Sequence, residues 1–251
     1  MNKKERRIII GDVHGYYDGV IRLLNKIKPD QNDQIYFLGD LIDRGPDSNQ
    51  VVTFVRRSNY KCIRGNHEQM LMDSFINGKV NGQALQAWLY AGGQATVASY
   101  GKHGIPQEDL DWIRNLPTYF DLGDIWLVHA GLDPELPLTK QNEYQFCWIR
   151  DEFHRMSEPY FPNKLIITGH TMTFTFHGVL PGKLVLGTGW LDIDTGAYHP
   201  KSGWLTALDI DNRQVYQVNV FNNKERVLSL DEATTKVHPS PFRLPRQKSR
   251  L

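Results

Sequence analysis

The chain has 251 residues, of which 40% are hydrophobic and 23% charged, so it can bury a core and wholesale disorder is excluded. Lys and Arg number 29 against 28 Asp and Glu, and this net charge of +1 excludes a protein that coats nucleic acid or anionic membrane. With no long apolar run and only Cys62 and Cys147, we expect a soluble, cytoplasmic protein that has no disulfide framework and no membrane or nucleic-acid partner.

Short apolar runs alternate with helix-like segments through the first half of the chain. Residues 7–10, 34–38 and 60–64 predict buried strands, each bounded by turn residues. The apolar spacing of residues 20–27 predicts a helix that ends before Pro29. This alternation of strand and helix is typical of α/β proteins.

The second half of the chain has shorter strands and more turns. Residues 125–128 and 165–168 predict apolar strands, and a short helix is expected between them over residues 143–153. Turns rich in Gly, Pro and Asn then separate four further predicted strands, at residues 184–186, 190–194, 204–210 and 215–221. We expect a single domain over residues 1–233 and a basic, proline-containing tail over residues 234–251.

Potential metal ligands follow five of the predicted strands, each where the strand ends. In chain order they are Asp12 with His14, Asp40, Asn66 with His67, His129, and His170. The carboxyl ends of strands form the ligand crevice of an open α/β sheet, so these side chains should converge at one edge. One such residue alone would indicate an ordinary turn, but five strand ends of this kind predict a site.

The residue types at these positions suit a hydrolase with two metal ions. Asp12 and His14 lie two residues apart in extended chain, so both can face the same way. Asp40 could bridge two ions through its two oxygens, and the second ion would be completed by Asn66, His129 and His170. Oxygen and imidazole ligands favour manganese, with iron or zinc as alternatives. Two such ions can hold a bridging hydroxide for in-line attack on phosphorus.

Three motifs carry a resemblance to a known family. Gly-Asp-Val-His-Gly at 11–15, Gly-Asp-Leu-Ile-Asp-Arg-Gly at 39–45 and Gly-Asn-His-Glu at 65–68 resemble the phosphoprotein phosphatase family of metallophosphoesterases, especially its bacterial and phage members. The resemblance implies an α/β fold with a central β-sandwich of mixed sheets, flanked by helices in four αββα layers. It also implies the metal ligands named above, with Asp40 as the bridge.

The same resemblance implies roles for four further side chains. His67 would be the general acid that protonates the leaving oxygen, and Asp43 would orient it. A positioned imidazole suits this task near neutral pH. Arg44 and Arg150 would bind the phosphate oxygens, because a guanidinium offers a planar donor fork that matches two of them.

The sequence leaves the substrate open between two phosphoester classes. Asp43 and Glu68 follow the protein-phosphatase pattern. Symmetrical diadenosine tetraphosphatases commonly lack an aspartate at the position of Asp43 and tend to have Asp at the position of Glu68. We therefore expect a monomeric metal-dependent phosphomonoesterase, a serine/threonine or dual-specificity protein phosphatase. The alternative is hydrolysis of a dinucleoside polyphosphate or another small phosphorylated metabolite. An inactive phosphate-binding module would lack a ligand or the acid, and none is missing.

Overall fold

A computed structural model describes residues 5–76 and 79–238 of the chain. Their strands form two six-stranded mixed sheets and one small hairpin. The strands are β1 (Arg7–Ile10), β2 (Gln34–Phe37), β3 (Lys61–Cys62), β4 (Phe75–Ile76), β5 (Lys79–Val80), β6 (Tyr119–Asp121), β7 (Ile125–Val128), β8 (Leu165–Thr168), β9 (Leu184–Leu186), β10 (Trp190–Asp192), β11 (Trp204–Asp209), β12 (Gln214–Asn219), β13 (Glu225–Ser229) and β14 (Thr234–Lys236).

Helices connect the parallel strands and cover the outer faces of the sheets. They are α1 (Tyr17–Ile27), α2 (Ser48–Arg57), α3 (Asn66–Asp73), α4 (Gly82–Trp88), α5 (Gln94–Tyr100), α6 (Gln107–Arg114), α7 (Glu143–Trp148), α8 (Asp151–His154) and α9 (Leu230–Ala233). A kink at Gly92, where φ is 121°, separates α4 from α5. The predicted end of the first helix is confirmed, since Lys28 caps α1 in a left-handed conformation immediately before Pro29.

The two sheets have the mixed topology that the resemblance implies. The first sheet has the order β13-β12-β11-β1-β2-β3, in which β1, β2 and β3 are parallel. The second has the order β14-β9-β10-β8-β7-β6, in which β7, β8 and β10 are parallel. The predicted α/β fold with a central sandwich and flanking helices is confirmed.

The core follows from the alternation of side chains along each strand. Ile9 lies between the two sheets with Leu127 and Ile167, whereas Ile8 and Ile10 lie on the other face against the helices. Side chains of a strand alternate between faces, so one fully apolar run can supply two cores at once. Burying each such isoleucine stabilises the fold by about 1.5–3 kcal/mol.

Three predicted elements differ from those observed. The third strand is only Lys61–Cys62, because the chain turns early toward the loop before α3. The helix predicted over residues 143–153 is broken between α7 and α8 by the non-helical backbone of Ile149 and Arg150. The predicted tail begins with a strand, since β14 pairs with β9 in parallel. Residues 234–236 of the predicted tail therefore belong to the second sheet, and the tail residues 239–251 lie outside the described residues.

Two observations concern the cysteines and the membrane. Cys62 and Cys147 are both buried and unpaired, and burial raises the pKa of each thiol. Among residues 5–76 and 79–238, no helix has both the length and the apolar character of a membrane span.

Candidate active site

The loops after β1, β2, β3, β7 and β8 meet at one end of the sandwich. Asp12, in the loop after β1, accepts a hydrogen bond from the backbone amide of His170, which follows β8 in the other sheet, at 3.1 Å. Asp40 accepts a 3.0 Å bond from the amide of His67, in the first turn of α3. The strand ends of both sheets thus bring together residues that lie up to 158 positions apart.

The backbone turns sharply where these side chains project. Five site residues have positive φ angles, between 48° and 74°: His14, Asp40, Asp43, Arg44 and His170. A side chain in this left-handed region is uncommon and costs free energy, and such residues cluster at functional sites. Five of the residues that form the site therefore have an uncommon backbone conformation.

Two overlapping groups of side chains have donor atoms close enough to hold a metal ion. Asp12, Asp40 and His129 form one, and His14, Asp40 and His67 form the other, with all ligand atoms of a group within 4.8 Å of one another. Asp40 is the residue that the two groups share, and its role as a bridge stays a prediction.

Asn66 and His170 lie against this cluster. The side-chain oxygen of Asn66 is 3.0 Å from Nε2 of His129 and 2.9 Å from Nδ1 of His170. The structure therefore brings all six predicted metal ligands into one buried cluster, in which none is more than 7% exposed.

The imidazoles of the cluster are prepared to coordinate a cation. His14 donates from Nδ1 to the carbonyl of Ile42 and His129 donates from Nδ1 to that of Leu38, while His170 faces the carbonyl of Trp148 with Nε2. Each ring then turns its other nitrogen, as an electron-pair donor, into the cluster.

The electrostatics of the cluster also fit a cation. Burial lowers the pKa of His14, His129 and His170, so all three rings are neutral near pH 7. Burial, together with the neighbouring Asp194 and Asp40, raises the pKa of Asp12. Buried carboxylates and neutral imidazoles bring many lone pairs close together with few protons between them. Bound divalent ions would relieve the repulsion between these lone pairs.

His67 and Asp43 form a separate hydrogen-bonded pair at the edge of the cluster. Nδ1 of His67 lies 2.6 Å from Asp43, whose carboxylate also accepts bonds from the indole of Trp88 at 2.9 Å and the hydroxyl of Thr96 at 2.6 Å. Nε2 of His67 is 3.9 Å from Asp40. Asp43 is fully buried and held on three sides, so it fixes the orientation of the ring.

Two arginines line a small cavity of about 190 Å³ beside the ligand cluster. Nη1 of Arg44 is 2.7 Å from Nε2 of His14, and its guanidinium lies 3.9 Å from the ring centroid of Tyr198. Arg150 donates to the carbonyl of His170 at 3.1 Å and to the hydroxyl of Thr171 at 2.8 Å. The cavity offers two guanidinium groups that could donate to a phosphate, beside the carboxyl groups of Asp40 and Asp194.

The structure adds site residues to which sequence reasoning gave no role. Trp88 and Thr96 hold Asp43, and no spacing in the sequence indicates this because both lie in the later helices α4 and α5. Asp194 and Tyr198 line the small cavity. A signal existed only for Asp194, which ends the predicted strand 190–194 and begins an Asp-Thr-Gly segment.

Comparison with known proteins agrees with this architecture. The profile of the calcineurin-like phosphoesterase family matches residues 6–174. Serine/threonine-protein phosphatase 1 of Salmonella typhimurium is 35% identical over 151 residues, covering 57% of this chain and 68% of that protein. The symmetrical bis(5'-nucleosyl)-tetraphosphatase of Nitrosococcus oceani is 35% identical over 133 residues, which is 50% of this chain and 44% of that protein.

Solved structures share the fold. A protein assigned as a diadenosine tetraphosphatase superposes with a TM-score of 0.62 at 19% identity, covering 91% of this chain and 95% of its own. A cold-active protein-tyrosine phosphatase of a Shewanella species gives a TM-score of 0.55 at 19% identity, with 90% and 81% coverage. The relatives divide between protein phosphatases and tetraphosphatases, so they do not favour one substrate class over the other.

Proposed function

The chain belongs to the calcineurin-like phosphoesterase family, and from this premise we propose that it is a phosphomonoesterase with two divalent metal ions that acts on phosphorylated serine or threonine. The observation that carries the proposal is the buried cluster in which Asp40 belongs to two metal-capable groups. As a member of this family, the chain is a metal-dependent hydrolase of phosphoesters. The identity of its substrate and the number of its metal ions are proposals.

Six side chains would hold the ions. Asp12 and His14 would bind one ion and Asp40 would bridge to the second, which would be completed by Asn66, His129 and His170. When bound, the ions would withdraw charge from the phosphoryl oxygens and activate water for in-line attack on phosphorus. Neutral imidazoles and oxygen ligands support manganese, with iron or zinc as alternatives.

The protein's own part in the reaction is to bind the phosphate and to move a proton. Arg44 and Arg150 would hold the phosphate oxygens in the small cavity, where both guanidinium groups are present. His67 would protonate the leaving oxygen from Nε2, because its Nδ1 is engaged by Asp43. Asp43 would keep the ring in place throughout.

A second candidate function is the hydrolysis of a dinucleoside polyphosphate. The tetraphosphatases among the relatives favour this candidate. The matched region covers 44% of the protein from Nitrosococcus oceani and 46% of the protein from Proteus mirabilis. Asp43 and Glu68, which are typical of the protein-phosphatase pattern, support the first candidate.

A rate comparison separates the two candidates. The purified chain, loaded in turn with manganese, iron and zinc, would be assayed on a phosphoserine peptide, a phosphotyrosine peptide and diadenosine tetraphosphate. We expect the highest kcat/KM on the phosphoserine peptide with manganese. A higher kcat/KM on diadenosine tetraphosphate would instead establish the second candidate, and equal rates in excess chelator would contradict both.

A further inference from the structure

A second and larger cavity adjoins the small one that contains Arg44. Its volume is about 700 Å³, within the range of roughly 300–1,000 Å³ that is usual for ligand sites. Arg150 and Thr175 line both cavities, so the two lie side by side. A substrate whose phosphate occupies the small cavity would reach the larger cleft across these two residues.

Positive charge dominates the cleft. Among residues 5–76 and 79–238, three permanent cations line it, Arg150, Arg155 and Lys236, against the single carboxylate of Asp151. Asp151 is paired with Arg155 at 2.8 Å, and Lys236 has no ionic partner among the described residues. This local surplus is not a reflection of the whole chain, whose net charge is +1. Concave surfaces lined by one sign of charge concentrate ligands of the other sign.

The charged side chains project from ordered backbone. Lys236 ends strand β14, where it is in register with Leu186, and the amide of the following Val237 donates to the carbonyl of Leu186 at 2.9 Å. Arg155 follows helix α8 and its amide donates to the carbonyl of Asp151 at 3.1 Å. Fixed attachment points reduce the entropy that is lost when such side chains bind a ligand.

We propose that this cleft is an anion subsite that binds a second anionic group of the substrate while the reactive phosphate occupies the small cavity. The inference rests on the proposed function. The second group is a carboxylate or phosphate carried by the same molecule. It is supplied either by acidic residues beside a phosphoserine or by a further phosphate of a small phosphorylated compound.

Two matched pairs of substrates test the subsite. One pair is a phosphoserine peptide with flanking glutamates and its counterpart with glutamines, and the other is fructose 1,6-bisphosphate and fructose 6-phosphate. The measured quantity is the ratio of kcat/KM within each pair. We expect the more anionic member to be preferred, and the preference to fall about three- to tenfold in the double variant Arg155→Gln/Lys236→Gln, as expected for two partly exposed ion pairs.

Two further variants test whether the preference depends on the charge of the cleft and provide a control. Asp151→Asn removes the one carboxylate that the described residues place in the cleft and should increase the preference, whereas Lys102→Gln, an exposed lysine outside both cavities, should leave it unchanged. Lys236→Gln alone provides the test if the double variant is unstable. A change in the peptide pair identifies a carboxylate as the second group, and a change in the sugar pair identifies a phosphate.

The subsite and the proposed function can fail separately. Normal turnover of p-nitrophenyl phosphate, together with no preference in either pair or an equal preference in all variants, would overturn the subsite alone. No turnover of any substrate by the metal-loaded chain would overturn the proposed function. Calorimetric titration with the same four compounds in chelator then tests the cleft without turnover, and equal binding by wild type and the double variant would refute it.

Discussion

Glu68 holds together the two loops that carry the metal-capable residues. Its carboxylate accepts bonds from the amides of Asp40, Leu41 and Gly65 at 2.8–2.9 Å. Burial, with a contribution from the charge of Asp40, raises its pKa to about 7, although the three amide bonds oppose this. The fully buried side chain thereby supports the left-handed conformation of Asp40.

We predict that Glu68→Gln lowers the free energy of unfolding by about 1–3 kcal/mol, measured by urea denaturation. A glutamine of the same shape places an amide group against at least one of the three backbone N–H donors and leaves it unsatisfied. Glu158→Gln, at an exposed position, is the matched control and should change little. Equal stability of the two variants would show that the amides of this loop do not need the carboxylate.

His67→Asn should lower turnover by about 10²–10⁴-fold while the protein retains its metal ions, because a positioned general acid contributes a factor of this size. Steady-state kinetics and metal analysis of the purified protein measure the two quantities. The loss should be larger for phosphoserine than for p-nitrophenyl phosphate, since an alkoxide needs the proton more than a nitrophenolate does.

His103→Asn is the control for this substitution, since His103 is exposed and lies outside the site. Its turnover should equal that of the wild type on both substrates. Loss of metal in His67→Asn would reassign His67 as a ligand, a role compatible with its place in one of the metal-capable groups. Equal losses on both substrates would also contradict the assignment as general acid.

At the scale of elements, the short strand β14 forms one edge of the second sheet. Thr234–Lys236 pair with β9, and Val237 packs against the buried cluster that includes Trp190. These contacts join residues that the sequence pattern assigns to a tail. The strand has few apolar side chains of its own, so its place in the sheet comes from pairing and from that one packed valine.

We predict different outcomes for two truncations of the chain. Removal of residues 239–251 should leave the melting temperature within about 2 °C of wild type, whereas removal of residues 234–251 should lower it by several degrees. The second deletion removes the strand pairing and Val237, and about 1 kcal/mol corresponds to 2–4 °C in a protein of this size. Differential scanning calorimetry of both forms measures this, and identical melting temperatures would contradict the structural role of β14.

At the scale of the whole molecule, the site lies across the junction of the two sheets. Asp12 follows β1 of the first sheet and bonds to His170 of the second, and His129 after β7 of the second sheet donates to the Leu38 carbonyl of the first at 2.7 Å. If these residues are the metal ligands that we propose, ion binding and sandwich stability are coupled, because the ions would bind only where the two sheets are correctly packed.

Metal loading should therefore raise the melting temperature. A ligand present at 100 times its Kd stabilises the folded state by about 2.7 kcal/mol, or roughly 5–10 °C in a protein of this size. Calorimetry of chelated protein with and without added manganese measures the shift, and Asp40→Asn should show much less of it. An unchanged melting temperature at saturating manganese would contradict a site shared by the two sheets.

The sequence by itself determined the α/β class and the residues that gather at the strand ends. Apolar runs such as residues 7–10 and the polar residue after each strand are local patterns, and strand geometry converts them directly into a core face and a crevice. The positions of Asp12 and Asp40 at one edge of the first sheet therefore needed no knowledge of the full fold, whereas His170 meets them because the second sheet packs against the first.

Only the tertiary structure decided which distant residues support those side chains. Trp88 and Thr96 reach Asp43 from helices α4 and α5, and Lys236 reaches the cleft through an edge strand far along the chain. Such partners are chosen by packing between elements, and the same side chains in another arrangement would be ordinary helix or surface residues. Periodicity reports which face of an element is buried, but it carries no information about which element lies opposite.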